Sequence, residues 1–322
     1  MCYSAQVIAD WRQYAREHEA TLTLHDFWSL YSQRLSDPSI RIPKAIDAAF
    51  TREAPSSDLD AQLQCAIAQW KAQQIGTLEP EMFVQRKRLA DAQRKLQLKP
   101  SKSATESARI AANKVEQARR RLGNLNRVEL QPGDARIYPG WYALVMVQEG
   151  GRRVIKPMRY LCRIEGVPAQ YDRRFPGTYN ARRDNLDRFW RRHWGHKHGV
   201  LLATAFYENV SRHALEQRVL GDGEVPENVV LEFKPQGMRS MLVACLWSDW
   251  RAGADRLLSF AAITDEPPAE VAAAGHDRCI IALRAEHLDA WLNPDPHNLA
   301  RQAGILDDRE RPYYQHRITL AA

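Results

Sequence analysis

Gln131-Pro132-Gly133, and the run Trp141-Tyr142-Ala143-Leu144-Val145-Met146-Val147 that follows, divide the 322-residue chain into two parts of different character. Downstream, β-branched and aromatic residues gather in short runs: Trp141 to Val147, Arg153 to Tyr160, Val200 to Tyr207, Val229 to Phe233, Met241 to Trp247 and Leu258 to Ile263. Turn signals such as Glu149-Gly150-Gly151 and Gly221-Asp222-Gly223 separate them, and Glu286 to Leu292 reads as a helix. This part is expected to be α+β with a largely antiparallel sheet.

Upstream the apolar residues recur at three and four spacing, as in Val7, Ile8, Trp11, Tyr14 and in Phe27, Leu30, Tyr31, Leu35. Helices are therefore expected from about residue 5 to 125. Pro43 and Ala54-Pro55-Ser56-Ser57-Asp58 mark boundaries, with Ser57 or Asp58 capping a helix from Leu59 to Ile75. Gly76 to Pro80 is expected to close that helix, the next opening at Glu81. Between Met82 and Leu122 stand twelve lysines and arginines against Asp91, Glu106 and Glu116, interrupted at Pro100-Ser101, which predicts a basic helical hairpin. Such a surface either lies on phosphates or is a solvated face.

The 46 basic and 39 acidic residues leave a net charge of +7, which suits a polyanionic partner without requiring one. Five cysteines, at 2, 65, 162, 245 and 279, form no CxxC pair and read as free thiols of a reducing compartment. No stretch approaches the roughly 18 to 20 apolar residues of a membrane span, and Met1 to Trp11 has neither a basic nor an apolar leader region. A cytoplasmic protein with no membrane partner is expected.

Cys2 carries the most distinctive chemistry. Removal of Met1 would leave a thiol and a free α-amine on one residue, and an α-amine titrates near 7.7–8.0, about two and a half units below lysine. An aldehyde meeting this 1,2-aminothiol can form a Schiff base that the thiol closes into a five-membered thiazolidine. Three later segments supply polar groups: Thr178-Tyr179-Asn180-Ala181-Arg182, Ala205-Phe206-Tyr207-Glu208-Asn209 at the end of an apolar run, and Gly275-His276-Asp277-Arg278 before another.

Taken in order, Met1-Cys2, Asn180-Ala181-Arg182, Phe206-Tyr207-Glu208, His276-Asp277-Arg278 and Trp291-Leu292-Asn293-Pro294 resemble the motifs of the SOS-response-associated peptidase (SRAP) family. Smaller echoes are Tyr138-Pro139-Gly140, Met158-Arg159-Tyr160, Ala244-Cys245-Leu246-Trp247 and Ile263-Thr264-Asp265. The resemblance covers residues 1–4 and roughly 135–295. It implies a barrel-like α+β core made of residues 1–4 and 131–322, with 5–130 a helical, basic insertion.

The implied activity is capture of abasic sites in single-stranded DNA, as part of the DNA damage response, through a covalent thiazolidine link at Cys2. Glu208 would shuttle protons, His276 would polarise or protonate the sugar oxygen, Asn180 would hold the N-terminal residue or the sugar, and Arg182 would bind a phosphate. No cofactor is implied. Three features depart from the family pattern: Tyr3-Ser4 stands where Gly-Arg is usual, Asn209 where tryptophan usually follows the Phe-Tyr-Glu motif, and residues 5 to about 130 form a helical insertion that the family usually has short or not at all.

Arg182, Arg183, Arg191, Arg192 and Trp194 lie in a basic aromatic stretch that fits a groove for single-stranded DNA, and Arg159 joins them as a DNA-binding candidate. The same stretch could instead be an amphipathic segment with its aromatics in the core. His193, His196 and His198 have no acidic or cysteine ligand nearby in sequence, so no metal is expected. Two other functions compete: an N-terminal-nucleophile amidohydrolase, for which no glycine-rich oxyanion loop is found, and a non-catalytic nucleic-acid-binding protein using the basic helices.

Overall fold

The computed structural model describes residues 4–319. Five helices occupy the N-terminal part: α1 (Trp11–His18), α2 (Leu24–Arg34), α3 (Lys44–Thr51), α4 (Asp58–Leu98) and α5 (Lys102–Asn126). Beyond them the chain is mainly strand, in one 13-stranded, largely antiparallel sheet among the described residues.

Five strands of that sheet close on themselves. Tyr142–Glu149 pairs with Arg152–Tyr160 and with His198–Ser211; His198–Ser211 pairs with Met241–Ala252, which pairs with Asp255–Asp265; and Asp255–Asp265 returns in parallel to Arg152–Tyr160. The result is a five-stranded barrel within an α+β fold. Its strands bury both faces, which is why they read as continuous apolar runs rather than alternating ones. Val145, Val147, Leu201, Ala203, Val243 and Phe260 belong to one apolar cluster, and their neighbours Leu144, Met146, Leu202, Ala244 and Ala261 to another, built with Tyr14, Phe27, Leu30, Phe50 and Leu63 of the helices. Alternation thus puts the first set inside the barrel and the second under the helices. Tyr14 ties the layers together: its hydroxyl donates to Leu144 O at 2.9 Å and accepts from Leu202 N at 3.2 Å. Gly199 is required where strands approach closely, because a Cβ there would stand 3.0 Å from Val145 Cγ1.

The strand assignments hold, most with ends extended by one to five residues. Two expectations for the N-terminal part need correction. Ser4–Val7 is a strand, so Ala5, Gln6 and Val7 lie in the sheet rather than beginning the helices. Four residues carry too little pattern to separate strand from helix, and the pairing partners that decide it lie some 130 and 200 residues away. Second, α4 runs unbroken through Gly76 and Pro80. Proline in a helix costs about 3 kcal/mol; packing of α4 along α5 offsets it. Leu78 and Ala92 on α4 and Ala104, Ala111 and Ala118 on α5 are buried at seven-residue intervals or multiples of them, so the small side chains bring the two helices close. Ser57 and Ser101 cap the two helices, accepting from Asp60 N and Ala104 N at 3.2 Å each, and the break at Pro100 makes the expected hairpin. Glu286 to Leu292 is a short 3-10 turn followed by a helix at Leu288–Leu292.

Candidate active site

The 14-residue strand His198–Ser211 outruns the barrel. Its first half pairs inside the barrel; its second half pairs with Asn228–Pro235 on one edge and with Ser4–Val7 on the other, Ser4 opposite Tyr207 and Ala5 opposite Phe206. Glu208 is the next residue, opposite Leu231 and almost fully buried.

His276 meets it there. The short helix Ala269–Ala273 ends in a Schellman turn: Gly275 N donates to Ala272 O at 2.9 Å and His276 N to Val271 O at 3.3 Å, with Gly275 at φ +88°. Glycine takes that left-handed conformation without strain, which explains its place before the histidine. The turn delivers His276, 8% exposed, with Nε2 3.0 Å from Glu208 Oε2. Its Nδ1 lies 2.9 Å from Arg278 O and accepts from Arg278 N at 3.3 Å. A carboxylate oxygen and an imidazole nitrogen stand 3.0 Å apart, within hydrogen-bond reach, so a proton can pass between them away from water.

Asn180 arrives from the other side of a shared strand. Asn180–Arg182 runs parallel to the end of Asp255–Asp265, with Thr264 opposite Arg182 on one edge and Ile280 on the other. Asn180 is 6% exposed; its Oδ1 accepts from Tyr160 Oη at 3.4 Å, and its Nδ2 has no hydrogen-bond partner among the described residues. A buried donor left open in the free protein costs about 1–3 kcal/mol, so such groups call for an explanation.

A network not foreseen from the sequence fixes the strand that carries Ser4. Arg136 donates to Ser4 Oγ from Nε and Nη2, at 3.0 and 2.8 Å, and its guanidinium lies 3.6 Å over the Tyr207 ring. Tyr207 Oη donates to Glu232 Oε1 at 2.8 Å, and Arg317 Nε donates to Glu232 Oε2. Burial and the Glu232 carboxylate push the Tyr207 phenol up, so it stays a donor, while the hydrogen bonds from Arg317 and Tyr207 hold the Glu232 carboxyl below its usual range. A guanidinium therefore stands at the side chain of position 4 although that residue is serine. Arg136 gave no signal of its own, being one arginine in a short strand.

Cys2 lies outside the described residues. Of the other cysteines, Cys162, Cys245 and Cys279 are buried and burial pushes their thiols up, Cys162 to about 12; Cys65 is exposed on α4. The Cys279 thiol also feels the Glu208 charge.

The DNA-binding candidates separate by environment. Arg182 is half exposed on the surface and, among the described residues, forms its ion pair with Asp184, and Arg191 and Arg192 are exposed. Arg159 is held by Asp172 at 2.7 Å and Leu161 O at 3.1 Å, and Arg183 bridges Asp265 and Asp307. Both are mostly buried and already neutralised by acids. Trp194 is a correction: at 4% exposed it stacks on His198, 5.1 Å between centroids, and lies against Trp291, so no base can reach its ring. Trp190 is likewise core. His193 and His198 are buried, and among the described residues no group of three metal-binding side chains comes together. A cavity of about 890 Å³ lies elsewhere, under the hairpin, lined by Arg34, Trp70, Lys71, Arg127 and Trp141 among others. Among the described residues no helix is long and apolar enough to cross a membrane.

Comparison with curated proteins gives no match. Among solved structures, a protein from Bordetella bronchiseptica is 17% identical with a TM-score of 0.46, over 58% of this chain and 88% of that one. One from Bacteroides thetaiotaomicron is 14% identical with a TM-score of 0.45, over 57% and 77%. A phage-related protein of Bordetella bronchiseptica is 20% identical with a TM-score of 0.43, over 58% and 82%. The family model described as SOS response associated peptidase (SRAP) matches residues 103–319, which include Asn180, Glu208, His276 and the whole barrel. That match spans about two thirds of the sequence, and the chain belongs to the SOS response associated peptidase family.

Proposed function

We propose that this protein captures abasic sites in single-stranded DNA by a covalent thiazolidine link at Cys2, after hydrolysis of the Met1–Cys2 peptide bond. Family membership ties it to the SOS response. The observation that carries the finer reading is the register of Ser4 with Tyr207, next to the buried Glu208–His276 pair. Two peptide units separate position 2 from Ser4, a reach of about 7 Å.

The chemistry balances with water as the sole by-product. The α-amine of Cys2 adds to the ring-opened sugar aldehyde, giving a carbinolamine. Glu208 takes the proton that the amine sheds, and the pair returns one to the departing hydroxyl, which leaves as water and yields a Schiff base. The Cys2 sulfur then adds to the imine carbon while its proton passes to the nitrogen, closing the ring. His276 protonates the sugar oxygen as the furanose opens. Asn180 offers its open Nδ2 donor to the sugar or to the Cys2 carbonyl. Arg182 exchanges Asp184 for a phosphate, and Arg191 and Arg192 lie along the same strand of DNA. An abasic site offers no base to read, so no base-reading element is needed.

The test is a single-stranded oligonucleotide with one abasic site, incubated with the protein and run on a denaturing gel. Wild type is expected to give a heat-stable shifted band, with none on an intact strand and none from Cys2→Ala. An undiminished band from Cys2→Ala overturns the proposal.

A further inference from the structure

The hairpin of α4 and α5 carries the chain's excess charge. Between Glu81 and Asn126 stand twelve cations and four acids, so the remaining residues are almost neutral. The cations are not spread evenly around it. Arg88 Nε donates to Ser107 Oγ at 3.0 Å, which fixes one flank of α4 on the same side as one flank of α5. At about 100° per residue, Lys95 and Lys99 share the α4 flank with Arg88, and Lys114 and Arg121 share the α5 flank with Ser107. All five cations are exposed, and none forms an ion pair with an acid among the described residues. Of the three acids that do pair with arginines, Glu106 and Glu116 lie off this flank, and Asp91, paired with Arg94, borders it one turn from Arg88 and from Lys95. One acid, Glu81, lies on this flank, level with Lys114.

Because the helices are antiparallel, the Arg88–Ser107 hydrogen bond also sets their register. Projected on one axis, Arg121, Lys114, Arg88 and Lys95 recur about every seven residues, roughly 10 Å apart, and Lys99 extends the row to roughly 38 Å. One turn of duplex DNA is about 34–36 Å long. The row runs along two helices packed side by side. It also lacks a stacking platform of the kind single-strand sites use; the only aromatic residue between 81 and 126, Phe83, faces away from it.

From this geometry we infer that this flank of the hairpin lies along the phosphate backbone of duplex DNA, with Arg88, Lys95, Lys99, Lys114 and Arg121 as the cations that meet its phosphates. This goes beyond the abasic-site reaction and stands without it. Interactions of this kind position the protein on a duplex and read no sequence.

The experiment measures binding of the full chain to a plain duplex of about 16 base pairs, roughly one and a half turns, by fluorescence anisotropy at several salt concentrations. One variant replaces all five strip cations by glutamine; a second replaces five others, Arg86, Lys87, Arg94, Lys102 and Arg120. Circular dichroism checks that both keep their helices. The strip variant is expected to bind at least about tenfold more weakly at about 0.1 M salt and to lower the slope of log K on log salt by about 4, since each phosphate neutralised by the protein contributes about 0.9 to that slope. The second variant should show less than half of that effect. Equal weakening in the two variants, no weakening in either, or tighter strip-dependent binding to a duplex RNA of the same length would each overturn the inference. Adduct formation on a short abasic single strand is measured in parallel with wild type. An adduct without strip-dependent duplex binding sinks only the present inference; strip-dependent duplex binding without an adduct sinks only the proposed function.

Discussion

Arg136 grips Ser4 across 132 residues of sequence, donating to its hydroxyl oxygen from Nε and Nη2 at 3.0 and 2.8 Å. Ser4 is completely buried and the guanidinium lies on Tyr207, so this interaction pins the first described strand to the strand that carries Glu208. Arg136→Ala is expected to cost about 2 kcal/mol of stability, the scale of a buried charged hydrogen bond. It should also slow adduct formation at least about tenfold while leaving DNA affinity within about twofold, because it acts on the placement of the N-terminal strand. Lysine at 136 should restore part of both. A drop in melting temperature with an unchanged adduct rate would remove Arg136 from the reaction.

Glu208→Gln keeps the shape of the side chain and removes its basicity. Adduct formation should slow by about 100-fold or more, the lower end of what a positioned acid–base group contributes. Equilibrium binding to an abasic strand should stay near normal. Stopped-time denaturing gels and anisotropy on the same preparation separate the two, and equal adduct rates would exclude the carboxylate from proton transfer.

Asn180→Ala distinguishes a functional donor from a structural one. In the free protein Nδ2 has no partner among the described residues, so its removal should cost less than about 1 kcal/mol, the effect falling mainly on the weak 3.4 Å hydrogen bond with Tyr160. The adduct rate should nevertheless fall at least about tenfold. A large drop in melting temperature with a normal rate would make Asn180 a core residue only.

Acid should destabilise the protein through its buried histidines. Burial lowers His193 to about 4 and His198 to about 3, against an ordinary 6.5, with Lys197 and Arg192 adding to the effect at His193. The unfolded chain therefore binds more protons than the folded one below about pH 6.5. The stability that comes from keeping these rings neutral is complete above that pH and falls away towards pH 4 and 3, by a few kcal/mol in all. His193 has no hydrogen-bond partner at either ring nitrogen among the described residues, so His193→Phe should flatten part of this acid limb and leave the melting temperature at neutral pH unchanged or higher. Melting curves from about pH 4 to 8 test this; an unchanged acid limb would show that His193 does not titrate with unfolding.

The strands of the sheet were legible because they are long and apolar on both faces, while their closure into a barrel was implied only by the family resemblance; Phe206-Tyr207-Glu208 stands where an apolar run ends. The short strands at Ser4–Val7, Arg136–Ile137 and Asn180–Arg182 were not, since a few residues show no period and their pairing is long-range. The continuity of α4 was hidden for a related reason: Gly76 and Pro80 are local breakers, and the partner that overrides them lies along a second helix. Trp194 misled because an aromatic among arginines looks alike in sequence whether it stacks on a base or on His198. His276 and Glu208 could be named from their motifs, but their 3.0 Å approach joins residues far apart in the chain and emerges only from the fold.

The most direct test identifies the atoms that hold the sugar. The adduct with an abasic strand is digested with nuclease and protease, and the N-terminal peptide is sequenced by mass spectrometry. The expected peptide begins at Cys2, carries the sugar remnant with loss of one water, and resists both thiol alkylation and amine labelling. A peptide that retains Met1, or a sugar remnant found on a lysine, would contradict the account.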